Sequence, residues 1–366
     1  MDVGGVCVEF AKGNRDVTRD NTVGGYWGAM AGLALLLCAS FLASLSLGSV
    51  RIPVSDVVGV LLGGHTPNEQ WVNIIYLFRV PKSITALIAG AALAVSGLQM
   101  QTLFRNPLAG PFVLGINAAA SLGVAIAIVG LGTAGMEWLS HAGVGQHLGV
   151  VVAAMLGAGM VMGLVLATAQ RIRDPISILI LGLMFGYAAS AIVSVIVYFG
   201  EAQKIQKFLL WSFGSFGGVT PSQLRVFVPV VLLGLVVAGG TSKAMGALLL
   251  GEDYASSMGV SLKRTRSLII LSTCMLAGSV TAFCGPIAFL GLAVPHLCRA
   301  LLGTAEPGRL LPAVILVGGS LALLSDIVAQ LPGSDSTLPL NAVASFVGAP
   351  VVIWVVMKRR NLKGLT

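Results

Sequence analysis

The sequence predicts an all-α membrane protein whose helices cross the lipid bilayer about ten times. Of its 366 residues, 56% are hydrophobic and only 10% are charged, whereas soluble domains carry about 25% charged residues. Apolar runs of about 17 residues or more recur along the chain, and helices of that length can cross a hydrocarbon core of about 30 Å. A transmembrane β-barrel would need alternating segments of about ten residues, and the sequence lacks them.

Ten apolar segments are predicted to be the membrane spans. Short polar links such as "RNPLAGP" after the second span and "RIRDP" after the fourth mark the turns between them. The sixth, seventh and eighth segments are the shortest, so their ends are the hardest to place. The predicted spans are 26–48, 83–103, 112–131, 148–169, 176–199, 225–240, 267–283, 286–302, 310–331 and 338–357.

The distribution of basic residues predicts the orientation. With ten spans, both termini lie on one side of the membrane, and that side receives sixteen of the 22 lysines and arginines. Loops rich in lysine and arginine stay in the cytoplasm. We therefore expect a cytoplasmic tail over residues 1–25, a membrane domain over 26–360 and a second cytoplasmic tail over 361–366.

One long polar loop, 241–266, lies on the predicted cytoplasmic side. Within it, "GEDYASSMGV" places two acidic residues at a helix start, where they complement the helix dipole, and a glycine at the helix end. The loop is predicted to form two short helices joined by a bend. An amphipathic helix on the membrane surface is the alternative, but Glu252 and Asp253 would then face anionic lipid. A protein partner is the better interpretation.

The sequence contains no pattern typical of an enzyme. A GxxxxGK[ST] phosphate-binding loop is absent, so ATP binding by that route is not expected, and no histidine or cysteine spacing predicts a metal or a cofactor. Asp326 is the clearest ionisable residue inside a span. It is either a proton or cation site or a carboxylate bonded to neighbouring backbone or hydroxyl groups near the outer interface. The second interpretation is favoured, because a single unpartnered acid is poorly suited to ion coupling.

The stretch "CGPIAFLGLAVPHLCRALLG", residues 284–303, combines apolar character with a histidine and an arginine. A metal site, an ion pathway and a helix end are the competing interpretations. We favour the helix end, with Gly291 allowing close packing, Arg299 at the cytoplasmic boundary and His296 making a local hydrogen bond.

Two segments of small residues suggest an internal repeat. "AGAALAVSG" (89–97) and "AGSVTAFCG" (277–285) share alanine and glycine at equal offsets. They run in opposite directions in the ten-span topology, and inverted repeats are typical of transporters.

Several long motifs make the chain resemble a known family. "RVPKSITALIAGAALAVSGLQMQTLFRNPLAGPFVLGINAAASLG", "LGEDYASSMGVSLKRTR", "AGSVTAFCGPIAFLGLAVPHLCRALLG" and "LPLNAVASFVGAPVVIWVV" are similar to the permease subunits of bacterial ABC importers for iron-siderophores, haem and vitamin B12. The resemblance extends from about residue 30 to 360. It implies the type II ABC importer permease fold with inverted repeats, in the cell (inner) membrane, with no ATPase and no cofactor of its own.

The resemblance also implies the partners. Such permeases pair with a second copy or a similar permease, two ATP-binding subunits dock on the loop between the sixth and seventh helices, and a periplasmic or lipoprotein binding protein delivers the substrate. Here that loop is 241–266. The residues implied in ATPase contact are Glu252, Asp253, Ala255, Met258 and Gly259.

Two further sites follow from the resemblance. On the outer face, Arg79 and Lys82 match basic residues that hold acidic side chains of the binding protein, while Gln330 replaces a third arginine of the family pattern. The inner gate of the family corresponds to "RDPIS", with Asp174, Pro175, Ile176 and Ser177.

The expected function is ATP-driven import of an iron chelate, either a ferric siderophore or haem, with vitamin B12 as the alternative substrate. An ion-coupled secondary transporter acting alone is the alternative from a different class. A membrane-embedded enzyme would need clustered histidines or acids on neighbouring helices.

Overall fold

The computed structural model describes residues 23–63, 69–130, 146–172, 174–333 and 337–363, and within these ranges the chain forms helices and turns without any strand. Residues 1–22 and 364–366 of the predicted tails lie outside the described residues. The α-helices are α1 (Val23–Ser46), α2 (Val54–Leu61), α3 (Glu69–Asn73), α4 (Val80–Leu103), α5 (Ile116–Ala125), α6 (Gln146–Arg171), α7 (Pro175–Tyr198), α8 (Ala202–Ser212), α9 (Pro221–Leu250), α10 (Glu252–Ser257), α11 (Leu262–Cys284), α12 (Leu290–Leu302), α13 (Pro307–Ala329) and α14 (Leu340–Lys363).

The helices confirm the predicted all-α polytopic fold. Among the described residues, seven helical segments are long and apolar enough to cross a membrane, and three shorter apolar helices lie at Ile116–Gly130, Leu290–Leu302 and Leu340–Ile353. Each of the ten predicted spans coincides with one of these segments. The second span is extended at its start, because α3 and a π-helical segment, Ile74–Arg79, lead directly into α4.

The predicted end of the sixth span at residue 240 is wrong. α9 continues to Leu250, so the first ten residues of the predicted loop 241–266 are helical. Alanine, leucine, methionine and lysine in "TSKAMGALLL" favour helix, and the chain turns only at Gly251, where φ is +130°. The second helix of the predicted pair is also not short, since it is the first part of α11.

The start of α9 has a clear local cause. The Thr220 hydroxyl accepts a hydrogen bond from the Gln223 backbone, and the Gln223 side chain accepts one from the Thr220 backbone. This capping box, followed by a proline in the first turn, begins the helix at Pro221. The predicted start at residue 225 is therefore four residues late.

α4 is the central helix, and glycine brings its neighbours very close. Almost every residue from Ala89 to Leu103 is buried. A Cβ atom added to Gly97 would lie 1.6 Å from the carbonyl oxygen of Gly291 in α12, and one added to Gly90 would lie 2.2 Å from that of Gly318 in α13. Small residues let membrane helices approach in this way, so the position of α4 depends on these glycines.

The stretch 284–303 is a helix end, as the sequence predicts, and His296 within it makes a long-range bond that the sequence interpretation did not expect. The buried His296 bonds through Nε2 to the carbonyl oxygen of Pro107 at 2.7 Å, so the bond is a long-range one rather than local. Arg299 donates a hydrogen bond to Oε1 of Gln101. Both contacts hold α12 against the end of α4 and the loop that follows it. They are possible because Gly291 lets α12 lie directly against α4.

Gly97→Val is expected to disrupt the fold. The clash is with backbone, which cannot move aside as a flexible side chain can, so the cost should reach or exceed the about 1–3 kcal/mol typical of an overpacked core. Size-exclusion chromatography and thermal unfolding of the purified protein in detergent would measure it. Gly240→Ala is the control, because no atom lies within 4 Å of a Cβ added there; equal stability of the two variants would contradict the prediction.

Candidate functional site

Charged and exposed side chains collect at the two ends of the helices. The first end, which we name the Glu252 end, contains α10 and the starts of α7 and α11. The second, which we name the Lys82 end, contains the start of α4, the end of α13 and the segment after α8. Lys82 contacts Asp326 there, and the backbone N–H of Ser215 donates to the carbonyl of Cys284.

α10 divides the predicted ATPase-contact residues into two groups. Glu252 and Ala255 face the protein: both carboxylate oxygens of Glu252 lie 2.6 Å from Nη2 of Arg266, and Ala255 is fully buried. Asp253, Met258 and Gly259 are exposed. A short helix buries one face against the protein, so only the opposite face can meet a partner.

The exposed face also includes two residues that the sequence interpretation missed, Leu250 and Tyr254, beside the predicted Met258. Leu250, Tyr254 and Met258 are 68%, 50% and 60% exposed, and they lie in or beside a segment that is not itself a membrane span. The sequence did contain a signal for this surface, since "GEDYASSMGV" places the aromatic Tyr254 between acidic and small residues. Exposed apolar side chains grouped in this way are typical of protein-binding surfaces.

The predicted gate residues form the capped start of α7. The carboxylate of Asp174 accepts hydrogen bonds from the backbone N–H of Ile176 at 3.2 Å and of Ser177 at 2.9 Å, and from the Ser177 hydroxyl at 2.7 Å. These bonds from Ser177 lower the pKa of Asp174, and the charge of Arg266 lowers it further. Pro175 occupies the first helical position, which requires no backbone donor. The helix therefore begins at a fixed point, and the Ile176 side chain is left exposed.

α7 presents one apolar face that no described residue covers. Its opposite face packs closely on the turn before α5, since a Cβ on Gly182 would lie 2.8 Å from the Cα of Leu114. Residues at helical spacing form the uncovered stripe, which begins at the gate residue Ile176 and continues through Ile180, Met184, Tyr187, Ala191, Val195 and Tyr198. This helix is therefore the natural candidate for a pathway or an interface between permeases.

Arg79, predicted to dock a partner, is instead used inside the chain. Its Nη1 donates to the carbonyl oxygens of Leu45 at 2.5 Å and Ser46 at 2.9 Å, and its Nη2 donates to that of Val50. Only 9% of the residue is exposed. The guanidinium satisfies carbonyls where the chain leaves α1, so this geometry favours a structural role.

Lys82 forms an ion pair with the acid that the sequence interpretation left without a partner. Its Nζ lies 3.1 Å from Oδ1 of Asp326, and Nε2 of Gln330 donates to Oδ2 of Asp326 at 2.7 Å. The description of Asp326 as an unpartnered acid is therefore wrong. The residues belong to α4 and α13, far apart in the sequence, so a search within single spans could not detect the pair.

A cavity of about 330 Å³ opens beside this ion pair. It lies between the segment after α8, the end of α13 and the start of α14, and Lys82 and Asp326 both line it. Lys82 is about one-quarter exposed there, whereas Asp326 is almost fully buried. Within the described residues, no three histidine, cysteine, aspartate or glutamate side chains form a group that could hold a metal ion.

Comparison with known proteins identifies the family. The model of the FecCD transport family matches residues 36–358. The vitamin B12 import system permease protein BtuC of Klebsiella pneumoniae is 34% identical over 330 residues, covering 90% of this chain and 93% of the relative. The BtuC protein of Citrobacter koseri is 34% identical over 287 residues, covering 78% of this chain and 84% of the relative.

A solved structure of a similar protein has the same fold. It is described as an inward-facing conformation of a metal-chelate type ABC transporter, and it matches with a TM-score of 0.78 at 28% identity. The match covers 90% of this chain and 98% of the other. The resemblance seen in the sequence motifs is thereby confirmed, and the chain belongs to the FecCD transport family as a membrane permease of the ABC importer type.

Proposed function

We propose that the chain is the translocation subunit of an ATP-driven importer that moves an iron chelate into the cytoplasm across the inner membrane. The observation that carries this proposal is the exposed face of α10. Leu250, Tyr254 and Met258 form an apolar surface at the end of the helices, and the chain itself lacks a phosphate-binding loop. Energy from ATP would therefore have to arrive through a partner, and α10 offers the surface for it.

The orientation follows from the charges. The side of the membrane that receives sixteen of the 22 lysines and arginines in the predicted topology includes the loop that carries Glu252, so we place the Glu252 end in the cytoplasm. ATP-binding subunits, two per complex, would dock there. The Lys82 end would then face the periplasm, where a periplasmic or lipoprotein binding protein delivers the substrate.

A second permease would cover α7. Its apolar stripe from Ile176 to Tyr198 is not covered by the described residues, so either lipid or a second permease covers it, and the gate residues at its start favour the permease. A second copy, or a similar permease, placed against it would enclose a pathway lined by apolar and weakly polar side chains. Rocking of the two permeases would then open the pathway alternately to each side, with Asp174, Pro175, Ile176 and Ser177 at its inner end.

The substrate class is a bulky metal chelate, and an iron chelate is the leading candidate. Gln330 replaces an arginine expected in B12-type relatives, which favours a ferric siderophore or haem. Vitamin B12 is the second candidate, because relatives at 34% identity are named vitamin B12 permeases. An ion-coupled carrier has less support, since the buried acid Asp326 is paired with Lys82.

Uptake into proteoliposomes tests the function. With its ATPase and binding protein present, the permease should accumulate a ferric siderophore or haem only when ATP is supplied. A proton gradient without ATP should give no uptake, because Asp326 is engaged in an ion pair. ATP-driven uptake of cobalamin alone would transfer the assignment to vitamin B12, and gradient-driven uptake without the ATPase would refute the importer.

The exposed face of α10 should determine ATPase affinity. Replacing Tyr254→Ala together with Met258→Glu is expected to weaken binding of the ATPase about tenfold or more, because large exposed anchors dominate such interfaces. Co-purification and surface plasmon resonance would measure the loss. Leu62→Ala is the control, since Leu62 is 82% exposed but far from α10 in the fold; unchanged affinity in the double variant would remove α10 from the docking surface.

The two basic residues at the Lys82 end should respond differently. Lys82→Glu is expected to slow uptake about tenfold at limiting binding protein while the ATPase stays bound, because charges at an interface mainly control association. Arg79→Gln should instead lower the thermal midpoint, since each buried carbonyl left unpaired costs about 1–3 kcal/mol.

Lys204→Glu serves as the matched control for Lys82→Glu. Lys204 is a surface lysine of α8 that pairs with Glu201 and does not line the cavity. Normal uptake by Lys82→Glu, or a docking defect in a fully stable Arg79→Gln variant, would contradict this division of roles.

A further inference from the structure

α10 is a short helix held between two glycines. Gly251 before it has φ +130° and ψ 152°, and Gly259 after it has φ +81°. Residues other than glycine rarely adopt either backbone conformation. A helix of six residues gains too little from its own hydrogen bonds to be stable alone. Its orientation must therefore be set by contacts with the rest of the chain.

Among the contacts that set that orientation, the strongest is an ion pair. Both oxygens of Glu252 lie 2.6 Å from Nη2 of Arg266, and Arg266 is buried at the start of α11. Ala255 adds a buried methyl group, and its carbonyl accepts a bond from the N–H of Val260 at 3.0 Å. Charge-assisted bonds of a buried arginine are stronger than ordinary surface pairs, so this clamp dominates.

We propose that Arg266 is a positioning residue for energy coupling. Through Glu252 it fixes α10 to α11, so that a displacement of α10 by a docked ATPase moves α11 instead of being absorbed at Gly251 and Gly259. This inference rests on the proposed function, since it requires an ATPase docked on α10. It also changes the role of Glu252, whose carboxylate is committed inside the permease.

α11 is well placed to pass such a movement on. The hydroxyls of Ser272 and Thr273 donate to Oε1 of Gln99 in α4, each at 3.1 Å, and Ser272 also lies 2.9 Å from the carbonyl oxygen of Gly234 in α9. Further along, the Thr281 hydroxyl donates to Oδ1 of Asn117 in α5 at 2.8 Å. Three neighbouring helices are thus bonded to the helix that the clamp holds.

Arg266 also acts on the gate segment. Its positive charge contributes to the lowered pKa of Asp174, after the larger effect of the hydrogen bonds from Ser177. Asp174 is the residue that caps α7. One guanidinium therefore contacts α10 directly and stabilises the ionised cap of the helix that begins at the gate.

The test separates docking from coupling. In the permease–ATPase complex in proteoliposomes with its binding protein, Glu252→Gln and Arg266→Met should keep the ATPase bound. The amount of substrate imported per ATP hydrolysed should fall about fivefold or more, because the coupling between two sites typically changes an equilibrium by about 5- to 150-fold. The exchange of both charges, Glu252→Arg with Arg266→Glu, should restore much of the ratio.

Glu306→Gln is the matched control, because Glu306 and Arg309 form an exposed ion pair at 3.1 Å at the start of α13. A normal ratio in Glu252→Gln would overturn the inference, and so would loss of ATPase binding that the exchanged pair does not restore. If Arg266→Met fails to fold, Glu252→Gln decides alone. Failure of the unaltered complex to hydrolyse ATP or import substrate would refute the proposed function instead.

Discussion

The close approach of α4 to its neighbours is the constraint on which the rest of the structure depends. Lipid tails are as apolar as leucine, so helices in a membrane gain little by burying apolar side chains against each other and depend on tight packing and polar bonds. Gly90 and Gly97 let α4 approach within backbone contact of α13 and α12. The side-chain bond from Arg299 in α12 to Gln101 in α4 then becomes possible, and the helix that carries Lys82 at one end is held in place.

The charged residues near the membrane domain serve the fold before they serve any partner. A buried charge is costly unless it is paired and hydrogen-bonded. Arg79 accordingly binds carbonyl groups, Glu252 binds Arg266, and Asp326 binds Lys82. The surface available to partners consists of the side chains that are not engaged in these pairs. At α10 that surface includes the apolar side chains of Leu250, Tyr254 and Met258 beside the exposed Asp253, whereas the carboxylate of Glu252 is paired with Arg266.

The fold could be predicted from the sequence, whereas the contacts of individual side chains could not. Ten spans could be predicted because helix length and hydropathy are local properties, and Asp174 with Pro175 could be recognised as a helix start for the same reason. The partner of Asp326 could not be found, because Lys82 is on another helix, and neither could the partner of His296, which lies in the loop after α4. The end of α9 was missed because good helix formers continue the helix beyond the polar residues Thr241, Ser242 and Lys243.

The ion pair at the Lys82 end is compatible with partner docking, although it neutralises the lysine. An ammonium group has three donors, and Asp326 and Gln330 form a bonded pair that accepts from it on the buried side. The exposed quarter of the lysine lines the cavity, so the remaining donors can meet a carboxylate that enters from there. Asp326 then orients Lys82 instead of competing for it, and a single lysine held in one direction can select its partner without the third basic residue that Gln330 replaces.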